Sequence, residues 1–189
     1  SDAAHLSGAF ADPPLDAART FRAAMEAVAR PGTLHAVPGI CPPAPLSQAA
    51  GALLLTLVDG ETPLYLAGAA DTRAVRDWIA FHTGAPLVAA EDCRFAVGTW
   101  PALWPVTRFD PGTADYPDRS ATLIVEMAEL RAAGVRLTGP GIEAEAALNL
   151  PEVEAFAANH ARYPLGLDFY FCAGRTIAAL PRSTAVEVG

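Results

Sequence analysis

The chain has 189 residues, 52% of them hydrophobic, which is enough for one sizeable core and too little for two ordinary domains, so a single domain over 1–189 is expected. All 13 basic residues are arginine, which excludes a lysine Schiff base, whether to pyridoxal phosphate or to a carbonyl substrate, and a P-loop lysine. The 21 acidic side chains leave a net charge of -8, so the overall field opposes nucleic acid, and a phosphorylated ligand would need a local arginine or backbone-amide site.

No apolar run approaches the roughly 20 residues of a membrane helix, and no basic region followed by an apolar segment opens the chain. A soluble cytoplasmic protein without membrane contact is expected. Cys41, Cys93 and Cys172 stand far apart and are odd in number, which argues against a disulfide framework and reads most simply as three buried thiols.

The first helix is signalled by Asp16 as its cap, by Phe21, Met25 and Val28 at helical spacing, and by the stop at Arg30-Pro31-Gly32. Thr33 to Val37 reads as a short strand and Pro38 to Pro45 as a loop. From Leu46 to Val58 the apolar residues cover more than one helix face, which predicts a helix buried on several sides and stopped at Asp59-Gly60. Pro63 to Leu66 reads as a strand. Asp71 then caps a helix that carries Val75, Trp78, Ile79 and His82 on one face.

Beyond Gly84 the signal turns mostly β, with strands expected at Arg94 to Val97, Ala121 to Val125 and Val135 to Thr138. The loop-like stretch from Trp100 to Arg119 carries Trp100, Trp104, Phe109 and Tyr116, so it either folds back on the domain or meets a partner. A helix from about Pro151, at position N1, to Arg162 puts Val153, Phe156 and Ala157 on one side. Leu167 to Cys172 and Thr176 to Leu180 form a hairpin across Ala173-Gly174-Arg175, where the glycine suits a positive φ. Helices early and a hairpin late predict an α/β fold with a mixed sheet covered by helices.

Few residues offer chemistry. Gly139-Pro140-Gly141 follows a strand, where backbone amides can form an anion-binding concavity; a plain strand exit is the alternative, and Glu143 and Glu145 would repel a phosphate. Arg30 and Arg182 carry the planar fork that suits a phosphonate or phosphate, against plainer roles at a helix end for Arg30 and in an ion pair with Asp168 for Arg182. His82 sits on an apolar helix face as a core histidine would. His5, His35 and His160 lack metal spacing, no nucleophile elbow appears, and Glu91-Asp92 and Glu143-x-Glu145 read as solvated surface. Clustered cysteines for iron-sulfur chemistry are missing. No complete active site, cofactor site or metal site is predicted, and the catalytic residues stay unassigned.

Several segments taken together resemble the PhnH family of the bacterial carbon-phosphorus lyase system. They are Phe21-Arg22 through Arg30-Pro31-Gly32, Leu53-Leu54-Leu55-Thr56-Leu57, Phe81-His82-Thr83, Leu137-Thr138-Gly139-Pro140-Gly141-Ile142, Tyr163-Pro164-Leu165-Gly166-Leu167-Asp168 and Leu180-Pro181-Arg182-Ser183-Thr184. The resemblance spans nearly the whole chain. It implies a fold similar to the large domain of pyridoxal-phosphate transferases with the cofactor site lost, in agreement with the missing lysine. It also implies a subunit, with PhnG, PhnI and PhnJ, of the complex that makes α-D-ribose 1-methylphosphonate 5-triphosphate from ATP and methylphosphonate. On that reading the chain assists rather than catalyses, and forms a homodimer when isolated. The alternative is an enzyme that binds a phosphonate or nucleotide in its own right.

Overall fold

A computed structural model describes residues 6–187. In chain order the elements are α1 (Pro13–Ala29), β1 (His35–Ala36), α2 (Gln48–Leu57), β2 (Leu64–Leu66), α3 (Arg73–His82), β3 (Phe95–Thr99), α4 (Trp100–Leu103), β4 (Thr122–Glu126), β5 (Val135–Thr138), β6 (Ala146–Leu148), α5 (Val153–Ala161), β7 (Asp168–Ala173), β8 (Thr176–Leu180) and β9 (Ala185–Glu187). The main sheet is mixed, in the order β1-β8-β7-β4-β3-β2. Its strands β2, β3, β4 and β7 run parallel, and β8 and β1 add antiparallel pairings at one side. The expected α/β class with a mixed, helix-covered sheet is therefore what forms.

Side chains of successive strand residues point to opposite faces of the sheet, and each face has its own core. One face carries Val97, Ile124, Cys172 and Ala179 under α1, α2 and α3; the other carries Leu123, Val125, Phe169 and Phe171 under Trp100, Phe109 and Phe156. A second sheet, β6-β5-β9, adds Leu137 and Leu148 to the latter core. The pattern of β5 gave its strand character but not this separate sheet, because the pairing partners β6 and β9 are three residues each and lie far from each other in sequence.

Helix α2 meets its expectation: Ala49 through Leu54 are all buried, and Ser47 caps it by accepting a hydrogen bond from the Ala50 amide. The hairpin at Gly174 also forms, with φ of 56° at that glycine. Three helix starts move. α1 begins at Pro13, because Pro13 and Pro14 are preset for the first turn, and Asp12 rather than Asp16 holds the cap position. Asp16 instead turns its carboxylate back to accept from the Asp12 amide. Thr72, not Asp71, caps α3 by accepting from the Val75 amide, while Asp71 pairs with Arg76. Pro151 lies before the helix it was expected to open, since α5 starts at Val153.

The face that α1 turns inward is not the one its large apolar residues mark. Its buried face is Asp16, Thr20, Ala24 and Ala27, and these small side chains let the helix lie on α2 and β8. Phe21 and Met25, whose spacing marks the helix, are each 51% exposed, and Val28 only flanks the core. In the 100–119 stretch Trp100 and Phe109 fold back into the core, the first of the two alternatives, and Trp104 and Tyr116 stay exposed. Cys93 and Cys172 are buried, but Cys41 is exposed. Among the described residues no helix is long and apolar enough to cross a membrane.

Candidate functional site

The parallel strands β3, β4 and β7 start in register, with Phe95 opposite Thr122 and Thr122 opposite Asp168. Against these amino ends lies a cleft of about 740 Å³, walled further by Thr62, Arg94, Ser120 and Tyr163. The turn after β8 delivers Arg182 into it. Arg182 Nε and Nη2 donate to the two Asp168 oxygens at 3.2 and 2.8 Å, Nη1 donates to the Pro117 and Pro164 carbonyls, and Nη2 also donates to Ser120 Oγ. The guanidinium has five N–H donors, and all five are directed to acceptors of this chain.

The surrounding loop is built to hold that pose. Asn159 donates to the Leu167 carbonyl at 2.9 Å and accepts from the Leu167 amide at 2.8 Å, and the His160 ring nitrogen Nδ1 bonds the Arg182 carbonyl. Gly166, with φ of 130°, brings the backbone against Asn159, where an added Cβ would stand 3.1 Å from its carbonyl oxygen. Asp168 also accepts from the Arg182 amide at 2.8 Å. The cleft thus carries three carboxylates, of Glu61, Asp118 and Asp168, against Arg94 and an Arg182 already engaged. Arg94 itself donates to the Asp118 carbonyl. That balance does not favour a phosphonate or triphosphate.

The opposite, carboxyl edge of the sheet is where open α/β sheets usually take ligands. Here the chain's own Glu126, the last residue of β4, occupies the N-terminus of α2: it accepts from the Ser47 amide at 2.7 Å and from Ser47 Oγ at 2.5 Å. Burial raises its carboxyl above the ordinary glutamate range despite those bonds. Beside it in register stands Cys172, whose thiol burial pushes far up, with Glu126 adding to the effect. Burial likewise pushes the Cys93 thiol and the Tyr170 hydroxyl up to about 12, so none of these groups is an anionic nucleophile at neutral pH. Sequence reading missed the Glu126–Ser47 pair; its one trace is a single acid closing the apolar run Leu123-Ile124-Val125.

The Gly139–Gly141 turn packs between the end of α1 and the turn after β8. A Cβ on Gly141 would stand 2.0 Å from the Ala29 carbonyl oxygen, and one on Gly139 would stand 3.1 Å from that of Ser183. The Ile142 amide bonds back to the Gly139 carbonyl, which takes one of the few amides an anion would need. Thus the backbones at Arg30, Gly139, Gly141 and Arg182 are neighbours, while the two guanidiniums hold different acids. Arg30, 60% exposed, pairs with Glu26 at 3.2 Å. His82 is half-buried between ring contacts with Trp78 and Phe81 and bonds the Leu6 carbonyl. His35 bonds Thr33, and burial and the charge of Arg30 hold its imidazole below the usual range. His5 lies outside the described residues. Among the described residues no three His, Cys, Asp or Glu side chains gather as a metal would require.

Comparison with known proteins gives this geometry its context. The family described as bacterial phosphonate metabolism protein (PhnH) matches residues 8–187. A protein of Rhizobium meliloti (strain 1021) named alpha-D-ribose 1-methylphosphonate 5-triphosphate synthase subunit PhnH is 42% identical over 190 residues, covering 96% of this chain and 95% of that protein. A protein of Stutzerimonas stutzeri, described provisionally as C-P lyase subunit protein HtxG, is 28% identical over 182 residues, covering 89% of this chain and 84% of that one. A family match over nearly every described residue, joined to a relative this similar from end to end, means that the chain belongs to the PhnH family of bacterial phosphonate metabolism proteins.

Proposed function

We propose that this chain is the PhnH subunit of the carbon-phosphorus lyase core complex and assists formation of α-D-ribose 1-methylphosphonate 5-triphosphate from ATP and methylphosphonate, without supplying the reacting groups. The observation that carries the reading is the 42% identity, over 96% of this chain, to a protein named as that subunit. The assisting role is supported by the cleft itself, where Arg182 has no donor left for a substrate and acids predominate. The carboxyl edge supports it as well, since Glu126 fills the position a phosphate would take.

On this reading the chain works as one cytoplasmic domain beside PhnG, PhnI and PhnJ, and alone it pairs with a second copy. Its mixed sheet under helices is compatible with descent from the large domain of pyridoxal-phosphate transferases. A chain with no lysine has lost the amine such an enzyme uses. A second reading, a phosphonate- or nucleotide-binding enzyme in its own right, rests on the cleft of about 740 Å³. Co-expression with the other subunits followed by calorimetric titration of the free chain separates them. Stoichiometric co-purification with no heat from ATP or methylphosphonate is expected. Micromolar binding of either by the isolated chain would favour the second reading.

A further inference from the structure

The cleft at the amino edge has one wall that neither core holds. Pro117, Asp118 and Ser120 line it from a loop, residues 111–120, whose two ends meet. The Ala121 amide donates to the Asp110 carbonyl at 2.8 Å, and the Gly112 amide donates to Asp110 Oδ1 at 2.8 Å. Between these ends the loop packs on itself. Thr113 and Tyr116 exchange backbone hydrogen bonds, the Arg119 amide donates to the Tyr116 carbonyl, and the Arg119 guanidinium lies over the Tyr116 ring. Phe109 and Ala121, just outside the loop, are buried, whereas Ala114 and Tyr116 join neither core and are exposed. A loop closed at its neck and folded on itself can move as one body while the domain stays intact.

Past that neck, the hydrogen bonds that fasten the loop to the rest of the described chain come from the Gly166 amide, which donates to the Pro111 carbonyl, and from two arginines. Arg182 donates to the Pro117 carbonyl at 2.8 Å and to Ser120 Oγ, and Arg94 donates to the Asp118 carbonyl at 3.1 Å. We propose that residues 112–120 form a hinged flap on the amino-edge cleft, latched shut by Arg182 and Arg94, which opens without unfolding the domain. Opening costs little that water cannot replace. The Arg94 bond is already exposed, and Arg182 keeps its pair with Asp168 when the flap leaves. Its consequence falls on the cleft. Shut, the flap uses the Arg182 donors that face it; lifted, it takes the Pro117 carbonyl away and returns an Nη1 donor to the cleft floor. The flap thus sets access to Arg182 and Asp168, as lids do over other clefts. This goes beyond the subunit reading and does not depend on it, because it concerns the state of the cleft and not what the cleft serves.

The test measures how fast a maleimide reaches a thiol placed under the flap in the full chain. Ser120 is 5% exposed, so Ser120→Cys puts the thiol there, and Cys41→Ser removes the exposed one. Cys93, buried in the core beside β3, reports opening of the whole domain. The thiol at position 120 should react about tenfold or more faster than Cys93. Adding Arg94→Ala should speed position 120 by about threefold or more and leave Cys93 unchanged. Gly112→Ala should speed it further, since its Cβ would stand 2.8 Å from the Pro117 carbonyl oxygen at a φ of 82°. Because Ser120→Cys removes one latch bond, hydrogen exchange is read on the chain with Ser120 and Cys41 in place. There Arg94→Ala should speed the amides of residues 113–119 and not those of β4. Each variant is first checked by thermal melting, and should Gly112→Ala fail to fold, Arg94→Ala decides. Equal labelling of position 120 and Cys93, or an Arg94→Ala that speeds neither the loop amides nor the thiol at position 120, would show that the loop is a fixed wall.

Discussion

A guanidinium with all five donors engaged acts as a fastener, and the strength of Arg182 as one can be measured. Removing it leaves Asp168 without its ionic partner and frees the carbonyls of Pro117 and Pro164. Its side chain is only 14% exposed, so water compensates poorly. Arg182→Ala should lower the unfolding free energy in urea by about 2–4 kcal/mol. Arg182→Lys should recover less than half of the loss, because an ammonium cannot reproduce the fork. Glu126 sets a second, pH-dependent expectation. Its folded pKa is raised, so its contribution is fully present below the unfolded glutamate value and is lost as pH rises through the folded value. Glu126→Gln removes the buried charge and keeps an acceptor for Ser47, so its melting temperature relative to wild type should rise from pH 4 to pH 8. A difference that is flat or falls with pH would contradict this account. Glu126→Ala strands the Ser47 amide and should cost about 1–3 kcal/mol at any pH. The sequence showed the first of these pairs and hid the second for a simple reason. Asp168 and Arg182 sit in neighbouring motifs at the two ends of a hairpin, whereas Ser47 and Glu126 are brought together only by sheet order.

At the scale of elements, most of what the chain announced came from short-range signals. The burial of α2 on several sides, the β7–β8 hairpin and the strands β3, β4 and β5 follow from apolar patterning and one turn glycine. Periodicity locates α1 but does not tell which face it buries, because it ranks faces by hydrophobicity while the sheet selects the face with small side chains. Ala24 and Ala27 fit close against β8, and Phe21 and Met25 do not. Similarly, Gly139-Pro140-Gly141 reads as a possible anion loop, but its use depends on the Ala29 carbonyl, more than a hundred residues away in sequence. This contact gives a sharp contrast between two glycines. Gly141→Ala forces a Cβ to within 2.0 Å of backbone at a φ of 83°, so the turn must leave the end of α1. Gly174→Ala meets nothing within 4 Å and carries only the strain of a φ of 56°. The second should cost about 1 kcal/mol in a urea melt. The first should cost about 3 kcal/mol or more, as overpacking against a fixed carbonyl does. Equal losses at the two positions would mean that the turn does not brace α1.

At the scale of the whole molecule, the two edges of the sheet and the exposed face of α1 point in the same direction. One edge is tied by Arg182, the other is closed by Glu126, and the apolar surface that remains lies on the outside. A chain built this way should matter to its system as a part and not as a catalyst. Deleting it from its host should abolish growth on an alkylphosphonate as sole phosphorus source, and re-expression should restore growth. Folded variants at Arg30 or His82 should retain turnover in the reconstituted complex within about threefold of wild type, because loss of a group acting on the transition state typically costs a hundredfold to a thousandfold. Arg182 tests the same point more severely. Its substitution is expected to lower stability, so turnover must be measured at a temperature where Arg182→Ala remains folded and assembled. Under those conditions the rate per assembled complex should stay near wild type. A thousandfold loss in kcat with melting and subunit recovery intact would place the guanidinium on the substrate. The cleft at the amino edge would then be an active site, whatever its charge balance.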